Sequence, residues 1–135
     1  MAEDSKALLK QAKAAVQEDG NFPLAVDLCQ RVLQIEADNY TALVILGLAK
    51  VKLVNTKDAE QAYRKATVLK PQQQLAWQGL ADLYEKFGDR FSAVGTSLIS
   101  VYRSLAQCYA DNKDKRIAVR VTQTILLFTL VPRPR

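Results

Sequence analysis

The sequence predicts an all-α solenoid of antiparallel helix pairs, three to four repeats long with the last one irregular. Three observations lead there. Apolar residues recur at i, i+3, i+4 spacing through most of the chain, the period of helices with one buried face. An order of small and large residues returns after 34 positions. Gly, Asn, Asp and Pro fall at the breaks between apolar runs, where turns need them. A single helix pair cannot bury its own apolar face, so such pairs stack on one another.

The elements follow in order. Residues 1–39 form a degenerate first repeat, with helices over about 4–18 and 22–36 and a break at Gly20–Asn21. Its key positions are Leu9, Ala12, Val16, Gly20, Ala25, Cys29 and Ile35. Asp38–Asn39 ends this repeat and caps the next helix. The second repeat, 40–73, has helices over 40–53 and 56–69 separated by Asn55–Thr56. Leu43, Leu46, Gly47, Ala59, Tyr63, Ala66 and Pro71 carry its pattern. Gly47 and Ala59 let the two helices meet, with Leu46, Tyr63 and Leu69 filling the space around them. Pro71 stops the second helix, since it lacks an amide hydrogen and disfavours helical geometry in Lys70. The third repeat, 74–98, opens with a helix over 74–87 in which Trp77, Leu80, Ala81 and Tyr84 return on schedule. Gly88 then falls in the turn and Ala93 at the small position.

Beyond Gly88 the register slips. Tyr102, Leu105, Ala106, Tyr109 and Ala118 repeat the spacing of Trp77 onward, but Trp77 to Tyr102 is 25 positions instead of 34. Either the third repeat is shortened, or 90–110 is one longer helix that matches the spacing by chance. The reading preferred here is a shortened third repeat followed by a fourth helix pair over 99–128, with helices at 97–110 and about 114–128, and a tail at 129–135.

Composition narrows the function. The 135 residues include no histidine, which removes Ser-His-Asp, Cys-His and His-metal chemistry. Cys29 and Cys108 lie far apart, too few for a zinc site or a disulfide framework, and are expected as buried thiols. The five glycines never approach a phosphate-loop spacing. Neither an enzyme nor a cofactor is therefore expected, nor a small-molecule substrate. The net charge of +5 is uneven: residues 1–88 hold 11 Lys/Arg and 11 Asp/Glu, while 89–135 hold 8 and 3. The opening MAEDSKALLKQAKAAV reads as neither a signal nor a transit peptide. Ile125–Val131 is far shorter than the ~20 residues of a membrane span, so no membrane partner is expected.

The 34-residue frame is that of the tetratricopeptide repeat. Within it, the run Leu75-Ala76-Trp77-Gln78-Gly79-Leu80-Ala81-Asp82-Leu83-Tyr84-Glu85-Lys86 resembles the N-terminal region of the tetratricopeptide-repeat scaffold subunit of the superkiller complex. Asn39-Tyr40, Gly47, the run 61–66, Leu69-Lys70-Pro71 and Val101–Leu105 are similar to the same region. The resemblance covers about residues 6–118. It implies a protein-protein interaction scaffold whose partners are a helicase subunit, a WD40-repeat subunit and the cytoplasmic exosome. It implies a role in cytoplasmic mRNA decay, with the nucleus as a second compartment and RNA contact indirect or weak. Such scaffolds run to many more repeats, so the chain reads as an N-terminal piece, a short isoform or a fragment with an unrelated end.

Two candidate surfaces emerge. On the concave face expected of the repeat frame, Thr41, Val44, Leu48 and Val51 make an apolar strip. Leu75, Gln78, Asp82 and Glu85 add an acidic rim, and together the two sets suit a helix or extended peptide. Lys113, Lys115, Arg116 and Arg120 form a basic patch, read mainly as a solvated face and alternatively as a weak RNA contact. No aromatic residue lies between Lys113 and Arg120 to stack on bases. Trp77, Tyr63 and Tyr84 occupy packing positions and are expected in the core. Tetratricopeptide proteins that grip acidic chaperone tails use a clamp of Lys and Asn, then Asn, then Lys and Arg. The corresponding residues here are Lys10, Ala14, Ile45, Leu75 and Gly79, of which only Lys10 matches. A generic adaptor for another complex remains the alternative within the same fold.

Overall fold

The computed structural model describes residues 4–87 and 94–111. These residues form six helices: α1 (Ser5–Gln17), α2 (Phe22–Ile35), α3 (Tyr40–Lys52), α4 (Thr56–Leu69), α5 (Gln74–Phe87) and α6 (Val94–Asp111). The first five agree with the expected spans to within a residue at either end. The chain divides into two compact units, Met1–Lys70 and Pro71–Arg135. None of the described helices is long and apolar enough to cross a membrane.

In the first unit, α1 packs on α2, α2 on α3, and α3 on α4. Small residues set how closely they approach. Ala15, Ala25 and Ala49 meet where α1, α2 and α3 converge, flanked by Val16, Phe22 and Val26. Further along, Leu8, Ala12, Leu28, Cys29, Val32, Ala42 and Ile45 form the larger apolar cluster. Gly47 faces Tyr63 so closely that a β-carbon there would sit 2.7 Å from the ring's Cε1. This is the close approach that the sequence assigns to Gly47. Tyr63 itself is buried.

The ends of the helices are set by local chemistry. Asp4, Asn21 and Asn39 accept from the backbone amides of Lys6, Leu24 and Ala42, capping α1, α2 and α3. Pro23 sits in the first turn of α2, where its missing amide hydrogen costs nothing. Asn39 also donates from Nδ2 to Glu36 Oε2 at 2.8 Å, and Ser5 Oγ donates to Glu36 Oε1 at 2.8 Å. One carboxylate thereby ties the start of α1, the end of α2 and the start of α3. These two bonds hold the Glu36 carboxyl below its ordinary pKa. At the end of α3, Asn55 N donates to Lys50 O and Val54 N to Val51 O, the paired bonds of a Schellman cap. Val54 takes the left-handed position of that cap, with φ 61°. After α4, Lys70 leaves the helical region at φ −137° and ψ 79°, as a residue before proline does. Its ammonium lies 5.6 Å from the centre of the Tyr40 ring.

In the second unit α6 packs on α5. Ala76, Leu80, Ala81, Leu83 and Tyr84 of α5 are buried, as are Val101, Tyr102, Leu105, Cys108 and Tyr109 of α6. Trp77 is half-buried and donates from Nε1 to Pro71 O at 2.9 Å. Cys108 Sγ lies 3.2 Å from the same carbonyl. α6 is one helix of 18 residues. It begins three residues earlier than the expected 97–110 helix and ends one residue later. Tyr102, Leu105 and Tyr109 share a face because 3 and 4 are the contact spacings of any helix. The second helix expected at 114–128 and the tail at 129–135 lie outside the described residues.

Candidate protein-binding faces

Most helices of the first unit separate an apolar face from a polar one. α3 does not: its sequence, YTALVILGLAKVK, places apolar residues on every side. Ala42, Leu43, Ile45, Gly47 and Ala49 are buried. Thr41, Val44, Leu48 and Val51 follow at steps of three, four and three residues, which puts them on one stripe of the helix. Leu48 is 37% exposed, and the other three are half-buried. A helix that is apolar all round requires cover on all sides. The stripe from Thr41 to Val51 is the part-exposed side of α3.

On α5 of the second unit, Leu75, Gln78, Asp82 and Glu85 form a corresponding stripe. Leu75 is 54% exposed, and Asp82 and Glu85 are exposed carboxylates. Loss of hydration around Glu85, and then the negative charge of Asp82 beside it, raise the Glu85 carboxyl above its ordinary pKa. A cation brought to this stripe would relieve that repulsion. Gln78 behaves differently from its neighbours. It is half-buried, and its amide nitrogen donates to the Tyr109 hydroxyl on α6. It therefore braces α5 against α6. The sequence could not show this bond, which joins residues 31 positions apart across the stretch where the repeat register slips.

The remaining expected features sort simply. Tyr63 and Tyr84 are buried as expected, whereas Trp77, expected in the core with them, is only half-buried, its indole N–H donating to Pro71 O. Cys29 and Cys108 are free and buried. Burial pushes the Cys29 thiol up to about 12, which leaves it protonated and unreactive. Ile45, one of the clamp positions, is buried in the core. Lys113, Lys115, Arg116 and Arg120 lie outside the described residues.

Stacked helix pairs with small residues at their crossings define the chain as a tetratricopeptide-repeat protein. Solved structures of that fold match it closely: the TPR2B domain of yeast Sti1, in its pHsp70 complex, at a TM-score of 0.77 and 14% identity over 93% of this chain and 95% of that one. The Sgt2 TPR domain from Aspergillus fumigatus matches at 0.73 and 19% identity, over 99% of this chain and 87% of that one. At these identities the likeness concerns the fold alone. No protein-family model matches the sequence.

Within that class, the sequence is similar to a tetratricopeptide region of the superkiller scaffold proteins. It is 38% identical over 109 residues to Superkiller complex protein 3 of Homo sapiens, covering 77% of this chain and 7% of that protein. It is 39% identical over 111 residues to Tetratricopeptide repeat protein 37 of Xenopus laevis, covering 82% of this chain and 7% of the relative. The Superkiller protein 3 of Schizosaccharomyces pombe is 36% identical over 85 residues, 63% of this chain and 6% of its own length. The chain thus spans less than a tenth of the relatives it matches.

Proposed function

We propose that the chain is a non-catalytic protein-interaction scaffold that works within a superkiller complex. The observation that carries this reading is the 38% identity to Superkiller complex protein 3 over 109 residues. The part-exposed apolar stripe on α3 would give that scaffold a docking surface, and the acidic stripe on α5 a second. An amphipathic helix or an extended peptide with apolar and basic side chains fits the chemistry of both. In this reading the partners are a helicase subunit and a WD40-repeat subunit. Through them the scaffold supports exosome-dependent mRNA decay in the cytoplasm, and the chain meets RNA only indirectly. The zero net charge of residues 1–88 is consistent with that, since direct RNA binding rests on excess positive charge.

Affinity purification of the tagged 135-residue chain from cells, followed by mass spectrometry, tests the proposal. Recovery of the complex's helicase or WD40-repeat subunits above an untagged control is the expected result. Recovery of a different assembly, with neither of these subunits present, would overturn the superkiller assignment and leave a general adaptor.

A further inference from the structure

The first unit carries another feature, on the side of α3 away from Val44 and Leu48. There α2, α3 and α4 surround a cleft of about 250 Å³. Leu46 contributes apolar lining, and the walls carry Gln30, Lys50, Asp58, Gln61 and Lys65. Lys50 Nζ and Asp58 Oδ2 are 3.5 Å apart, and Asn55 Nδ2 donates to the same Asp58 oxygen at 2.9 Å. Lys50 and Asp58 therefore largely neutralise each other. Gln30, Gln61 and Lys65 have no hydrogen-bond or ion-pair partner among the described residues. The lining is left with one uncompensated positive charge and two free primary amides.

The size and chemistry of the cleft select among ligands. Small-molecule and cofactor pockets usually enclose about 300–1,000 Å³, so this cleft suits an anchoring side chain or two of a larger partner. A primary amide both donates and accepts, which matches the N–H and C=O of a peptide backbone. A phosphodiester backbone only accepts, so it would leave the amide oxygens of Gln30 and Gln61 unmet. Lys65 completes the set with a cation for a carboxylate. We propose that this cleft is a further peptide-docking site, distinct from the stripes on α3 and α5, which takes an extended segment bearing an acidic side chain. Gln30 and Gln61 hold the backbone of that segment, and Lys65 pairs with its carboxylate.

Nuclear magnetic resonance on the isotopically labelled 135-residue chain tests this. The probe is a capped alanine–glutamate–alanine tripeptide, titrated to millimolar concentration. The side-chain amide resonances of Gln30 and Gln61 should shift with saturation, and Lys65→Glu, an exposed position that the fold tolerates, should weaken binding by roughly tenfold. The matching glutamine tripeptide should bind more weakly by a similar factor. Absence of Gln30 and Gln61 shifts, equal affinity for the glutamine tripeptide, or undiminished binding to the Lys65→Glu chain would each overturn the proposal. An oligouridylate that shifted these resonances while the tripeptide did not would reassign the cleft to nucleic acid.

Discussion

At Gly47 the two helices of the second repeat touch through a hydrogen atom on one side and a buried ring on the other. A β-carbon added there would lie 2.7 Å from Tyr63 Cε1 and 2.8 Å from Cδ1, closer than such atoms pack. Tyr63 is 3% exposed, which leaves its ring little room to withdraw. Two effects of Gly47→Ala oppose each other. Alanine gains about 1 kcal/mol in helix propensity, whereas overpacking a filled site costs about 1–3 kcal/mol. With contacts this short the clash dominates, and we expect a net loss of about 1–2 kcal/mol. Urea unfolding should show a lower midpoint at an unchanged slope. Pairing Gly47→Ala with Tyr63→Leu should recover part of the loss, because the obstructing ring is gone. A Gly47→Ala chain as stable as the parent would mean that α3 and α4 are not held at this distance.

The helix ends hold two further devices, one strained and one titratable. Val54 occupies the left-handed position of the α3 cap at φ 61°, where a residue with a β-carbon is disfavoured by about 1–2 kcal/mol. Glycine removes that strain but loses about 0.5–1 kcal/mol of chain entropy on folding. Val54→Gly should thus stabilise the protein by about 0.5–1 kcal/mol, and its calorimetric midpoint should rise by roughly 2–5 °C. An unchanged or lower midpoint would show that the valine is not strained. Glu36 provides the pH-dependent counterpart. Its folded-state pKa is lowered by Asn39 and then Ser5, so its contribution is present above the unfolded carboxylate pKa and fades as pH falls through the folded value. Between about pH 5 and pH 3 the parent should therefore lose more stability than Glu36→Gln, as followed by denaturation at each pH. Parallel profiles would indicate that the Ser5 and Asn39 bonds do not form in solution. The Asn39 cap was legible in the sequence, as were five helices, because caps and apolar periods act over four residues or fewer. The bonds from Ser5 to Glu36 and from Gln78 to Tyr109 each span 31 positions, and no local pattern announces them. The start of α6 at Val94, ahead of the expected residue 97, has a related cause: once the 34-residue spacing is lost, steps of three and four alone cannot show where such a helix begins.

For the molecule as a whole, the charge pattern and the α3 stripe bear on the same question, which is how a scaffold segment holds a partner. Residues 1–88 are electrically neutral overall, so net charge contributes little long-range attraction there and recognition in the proposed reading rests on local contacts. The 34-residue frame places Val44 and Leu48 on one stripe of α3, because positions four apart share a helix face. The cleft between α2 and α4 was not readable, since its lining comes from three helices and no motif joins Gln30 to Lys65. Leu48→Glu separates binding from folding. At 37% exposure the new carboxylate reaches water, and the change should cost under about 1 kcal/mol of stability. If the stripe receives a partner's apolar face, the same substitution buries an unpaired charge in the complex, and a group of that kind can reduce affinity by 10-fold or more. Capture of partners by the tagged Leu48→Glu chain should then fall sharply while circular dichroism and the unfolding midpoint stay near the parent's. Asp82→Lys with Glu85→Lys supplies the complementary case on α5. Capture through apolar contact alone would survive the double substitution, whereas capture of a basic segment would fall and would lose its dependence on salt. Partner recovery by Leu48→Glu equal to that of the parent would remove the α3 stripe from the docking surface.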